Sequence, residues 1–163
     1  MTATLVKKKP KKKTVNLPDT MHELLRIAID DMLVVKTQKK YVLNMGEWYA
    51  INNDNRCSVC MAGSVMARRC KFDRTKDCLP SSFPRDISTK LSAINQMRCN
   101  WLSEAYTSVY GEEPIGDKED VLLNAPKISG WYSKHDPSEN ECTFRQFVSE
   151  LNKLHKYLAK AGI

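Results

Sequence analysis

Apolar residues in this chain recur every three or four positions over three long stretches, and that spacing constrains the fold more than any other feature. Met21, Leu24, Leu25, Ala28, Met32 and Val35 share one face of a helix running to about Lys36. Ile87, Leu91, Ile94, Met97, Trp101, Ala105 and Val109 continue a second face over roughly six turns. Phe144, Phe147, Val148, Leu151, Leu154 and Leu158 form a third. Boundary residues agree with the periodicity. Thr20-Met21-His22-Glu23 and Thr143-Phe144-Arg145-Gln146 have the capping-box form, in which a hydroxyl and an acid or amide reciprocally satisfy free amides at a helix start. Asp86 is placed to cap the second stretch, and Gly111 and Gly162 offer left-handed stops.

With a further helix at 57–69, the chain reads as a mostly α, single-domain assembly of about four principal helices over residues 18–163. Tyr41 to Tyr49, YVLNMGEWY, mixes β-favouring aromatics with a glycine and supplies minor extended structure around 41–50. Asn52-Asn53-Asp54-Asn55 is suited to cap the helix that follows, and Pro80 to Pro84 reads as a rigid connector. An acidic turn, Glu112 to Asp120, leads to a short helix at Val121-Leu122-Leu123, and its order of acids does not match a calcium loop.

The net charge of +7 suggests a polyanion partner until it is located along the chain. Lys7, Lys8, Lys9, Lys11, Lys12 and Lys13 precede Leu17 with no acid among them, which leaves +1 for everything after. Residues 1–17 are therefore expected to be a disordered lysine-rich arm, able to meet phosphates or an acidic protein face, or simply to solvate the chain. No window approaches eighteen apolar residues, and no apolar run follows the lysines, so neither a membrane span nor a signal peptide is expected. A cytoplasmic setting keeps six cysteines reduced.

Four of those cysteines raise three chemistries. Cys57, Cys60, Cys70 and Cys78 have the order C-x2-C-x9-C-x7-C, numerically sufficient for a tetrahedral zinc site. Ser58-Val59 and Met61-Ala62 lack the tight turn that a zinc knuckle needs. Cys57 and Cys60 also form a C-x-x-C pair at a helix start, where the dipole lowers a thiol pKa, but no buried strand of a βαβ unit is seen before them. The favoured reading is a buried structural helix whose Cys60, Gly63, Ser64 and Ala67 make one small side for close packing.

The string Cys57-Ser58-Val59-Cys60-Met61-Ala62-Gly63-Ser64-Val65-Met66-Ala67 resembles the C-x-V-C-x-A-G-x-V-M-A signature of a family of small uncharacterised bacteriophage and prophage proteins. The likeness extends to Asn44-Met45-Gly46-x-Trp48 and to Lys90-Leu91-x-Ala93-Ile94-x-x-x-Arg98, so it spans roughly Thr20 to Val109. The family pattern has no equivalent of Cys70 or Cys78, which counts further against zinc. The resemblance implies a phage setting and a helical fold, and carries over no catalytic residue.

The remaining candidates are contacts. Trp131 and Tyr132, in the loop Gly130 to Pro137, are the aromatics best suited to a protein partner, with closure of the core as the alternative for Trp131. Trp101 and Tyr106 follow the helical face and are expected in the core or half-buried; His22 is expected to be an exposed first-turn residue. No serine–histidine–acid set, phosphate-cradling glycine loop or cofactor motif emerges. The sequence thus points to a non-enzymatic accessory protein that binds a host macromolecule in the host cytoplasm. A nucleic-acid-binding protein using the six arm lysines is the first alternative, and a cysteine- or zinc-centred enzyme the second.

Overall fold

A computed structural model describes residues 15–129 and 142–163. The protein is mostly helical, with six α-helices and one small sheet among these residues: α1 (Met21–Lys36), β1 (Tyr41–Leu43), β2 (Tyr49–Ile51), β3 (Cys57–Val59), α2 (Met61–Arg69), α3 (Arg85–Arg98), α4 (Leu102–Tyr110), α5 (Asp117–Leu123) and α6 (Phe144–Ala161). A single 3-10 turn, Pro80–Ser82, occupies the expected connector.

Helix α1 is the hub. Met21, Leu24, Leu25, Ala28, Met32 and Val35 are fully buried, and the helix packs against α2, α3 and α6. Thr20 Oγ1 accepts from the Glu23 amide at 3.4 Å and donates to its carboxylate at 2.6 Å. His22 is only half-exposed, because its amide donates to the Ile163 carbonyl at 3.0 Å and its Nδ1 lies 2.7 Å from the same oxygen. That contact ties the start of α1 to the end of α6. Helix α6 carries the full capping box at Thr143 and Gln146, and buries Phe147, Leu151, Leu154 and Leu158.

Two helical expectations need correction. The stretch from Asp86 to Val109 is not one helix: it breaks after Arg98, where Cys99 closes α3 and Asn100 takes a left-handed φ of 63°. Asparagine tolerates that region because its short amide bonds locally, and here Asn100 Nδ2 donates to the Ile128 carbonyl while Oδ1 accepts the Ile128 amide, both at 2.8 Å. The break gives more helices than four. It also turns Trp101 out of the core, 56% exposed, while Tyr106 stays buried. Asp86 lies in the first turn of α3 but does not cap it; Pro84 holds that position without a side-chain bond.

The second correction concerns residues 57–69. Cys57, Ser58 and Val59 are the central strand of the sheet, order β1-β3-β2, and the helix begins only at Met61. β1 runs parallel to β3 with Tyr41 opposite Cys57, and β2 runs antiparallel with Tyr49 opposite Val59. Asn52 to Asn55 therefore close the β2–β3 hairpin instead of capping a helix: the Asn52 amide donates to Arg56 O at 2.7 Å, and Asn55 has φ 59°. All three residues of β3 are buried. A strand covered on both faces shows no alternation, so its sequence runs into the helix without a visible seam.

Candidate functional site

Residues of the stretches 44–48, 57–67 and 90–98 meet at one cleft. Helix α2 starts at Cys60, whose Sγ accepts the Gly63 amide at 3.3 Å and so takes the N-cap role usually filled by a hydroxyl. The Cys60 amide donates to Glu47 O at 2.6 Å, which pins the turn between β1 and β2 over the helix start. Gly63 makes that approach feasible. A Cβ there would collide with the Trp48 carbonyl oxygen, so the close packing expected of the small side is here against the backbone of a strand turn. From the other side comes the end of α3, with Asn95, Arg98 and Cys99.

Between them lies a cleft of about 470 Å³, within the range of small-ligand or side-chain pockets. Its apolar wall includes Met45, Trp48 and Ile128, and its polar groups include Glu47, Asn95 and Arg98. The Arg98 guanidinium donates twice to Asn95 Oδ1, at 3.2 and 2.9 Å, and forms no ion pair among the described residues. Glu47 lines both this cleft and a second recess beside Asn44 and Asn52. Its Oε2 is buried and is met by no protein donor among the described residues. A carboxylate oxygen left so is costly.

The cysteines are packed, not poised. Cys57, Cys60, Cys70 and Cys78 are all buried. Burial pushes the Cys60 thiol up, with the Gly63 amide and Arg98 pulling weakly the other way. Burial, then the neighbouring Cys78, raises Cys70 to about 11. Both are neutral thiols at pH 7 and poor nucleophiles. Among the described residues no group of three or more His, Cys, Asp or Glu side chains could hold a metal ion, so the four-cysteine zinc set is not assembled.

Comparison with protein-family models, with curated proteins and with solved structures gives no match.

Lys7, Lys8, Lys9, Lys11, Lys12 and Lys13, and likewise Trp131 and Tyr132, lie outside the described residues. Among the described residues no helix is long and apolar enough to cross a membrane. Sequence reasoning marked Arg98 only through the resemblance and missed Glu47, Asn95 and Asn100. The one local signal was asparagine directly after the apolar run of α3, a residue type tolerant of left-handed backbone.

Proposed function

We propose that this is a non-enzymatic accessory protein of phage origin that binds a host macromolecule in the host cytoplasm and modifies its activity, with the cleft at the start of α2 as its recognition site. The observation that carries this reading is the composition of the cleft: a carboxylate and a guanidinium, neither ion-paired among the described residues, beside a thiol that burial keeps neutral. Fixed, unpaired charges in a part-apolar pocket suit recognition of a partner group, and a neutral buried thiol does not suit nucleophilic turnover. The phage setting rests on the resemblance of residues 44–48, 57–67 and 90–98.

Affinity capture from host lysate, with and without nuclease, tests the reading when run beside Glu47→Lys and Arg98→Glu. A specific protein retained after nuclease and lost with either substitution is the expected result. Capture that disappears with nuclease and ignores both substitutions would replace this reading with nucleic-acid binding by the arm lysines.

A further inference from the structure

Two of the chain's three histidines, far apart in sequence, meet across the seam between α1 and α6. The helices run antiparallel. At one end the His22 amide donates to Ile163 O, and at the other Lys36 Nζ lies 3.5 Å from the centre of the Phe144 ring. Between these ties the His22 and His155 rings have centroids 6.3 Å apart and planes tilted by 50°. Both side chains are half-buried, and neither lines the cleft at the start of α2.

The rings are prepared to give lone pairs. His22 Nδ1 is 2.7 Å from Ile163 O, and a carbonyl oxygen can only accept, so Nδ1 carries the hydrogen. In the neutral ring Nε2 is then the atom with the free lone pair. A backbone carbonyl on one ring nitrogen is the arrangement that fixes the tautomer and orientation of metal-bound histidines. On α6, burial first, then Arg26 and His22, and more weakly Lys156, hold the His155 imidazole below its ordinary value, so it too is neutral at pH 7. Asp30 acts the other way, its negative charge being felt at the same ring. Arg26 does not stand as a free cation there, because Asp30 grips it at 2.9 Å.

We propose that His22 and His155 form a two-histidine site for a divalent transition-metal ion of the zinc, nickel or copper class, joining the first turn of α1 to α6. Imidazole nitrogen suits these ions, whereas magnesium and calcium take oxygen. With a metal–nitrogen bond of about 2.1 Å and a ring nitrogen about 1.1 Å from its centroid, two imidazoles on one tetrahedral ion have centroids about 5 Å apart. The rings must therefore close by about 1 Å, a change that rotation of two half-exposed side chains supplies. No third histidine, cysteine or acid completes a closed cage among the described residues, so the other positions go to water and the ion exchanges. The site is independent of the cleft and of the partner proposed for it.

The test titrates Ni²⁺ into the reduced full chain near neutral pH and follows the ring-proton signals of His22, His135 and His155 together with the thermal midpoint. The expected result is that substoichiometric Ni²⁺ broadens His22 and His155 before His135, and that the midpoint rises with Ni²⁺ and not with Mg²⁺. Either His22→Gln or His155→Gln should weaken binding at least roughly tenfold, since even outer partners of a metal site are worth that much. Each variant is compared with and without metal, so that the lost Ile163 contact of His22→Gln cancels. Binding should also fade on acidification below about pH 6, as the rings take up protons. Ring signals untouched at millimolar Ni²⁺ would overturn the proposal. So would equal broadening of all three histidines, or a metal-induced rise in midpoint that survives either substitution. Should a variant fail to fold, the ring signals of the unmodified chain decide the matter.

Discussion

Asp31 and Glu104 are both helical carboxylates, and the fold treats them in opposite ways. Asp31, on α1, is 2% exposed and gripped by two arginines of α2, Arg68 at 3.0 Å and Arg69 at 2.5 and 3.2 Å. Glu104, on α4, is exposed and has no partner among the described residues. The contrast extends to their surroundings. The α1–α2 side packs small residues against backbone and holds its buried Asp31 in two ion pairs, whereas the α4–α5 side leaves tryptophan, leucine and acids in water. The first region spends its sequence on holding the fold together. The second leaves its sequence free for contacts made outside it.

The comparison breaks most sharply at Asp31. Arg68→Ala together with Arg69→Ala strands a buried carboxylate, and about 3 to 5 kcal/mol of stability should be lost in urea denaturation. A loss under about 1 kcal/mol would mean that water reaches Asp31 and that the two regions differ less than their burial implies. Next comes Gly63→Ala, whose added methyl meets the Trp48 carbonyl; overpacking against backbone should cost about 3 kcal/mol. An unchanged midpoint would show that the β1–β2 turn can slide off α2.

The thiols sharpen the same contrast through pH. Burial lifts Cys70 from its ordinary 9.0 to about 11, so the folded chain keeps that proton after the unfolded chain has lost it. Its stabilising effect is therefore complete below about pH 9 and falls away as pH rises toward 11, by on the order of 2 kcal/mol. Stability measured across that interval should fall less steeply in Cys70→Ala than in the parent chain. Equal slopes would place Cys70 in contact with solvent. Smallest of all is Trp101→Ser on the open face, expected to change stability by less than about 0.5 kcal/mol. A larger loss would make Trp101 part of the core after all.

What was legible in the sequence follows from how each element is stabilised. α1 and α6 bury one face each and carry side-chain caps at Thr20 and Thr143, so period and boundary could both be read. The α3–α4 break was hidden, because Asn100 is held by the distant Ile128 backbone and leaves no glycine or proline to mark it. β3 was hidden because a three-residue strand buried on both faces runs straight into the cap of α2. The cleft inherits that difficulty: its walls come from a strand turn, a helix start and a helix end far apart in sequence, and only folding brings Glu47 and Arg98 to one place.

The strand order β1-β3-β2 also sets a timetable for assembly. β1 and β2 are neighbours in sequence but share no ladder; each pairs only with β3, which is made last. During synthesis, Tyr41–Leu43 and Tyr49–Ile51 leave the ribosome as two unpaired edges and must wait for Cys57–Val59 to come between them. The next residues to emerge form α2, which stands directly on that sheet. Sheet and α2 can therefore close in one late step, and a chain interrupted before residue 57 has neither.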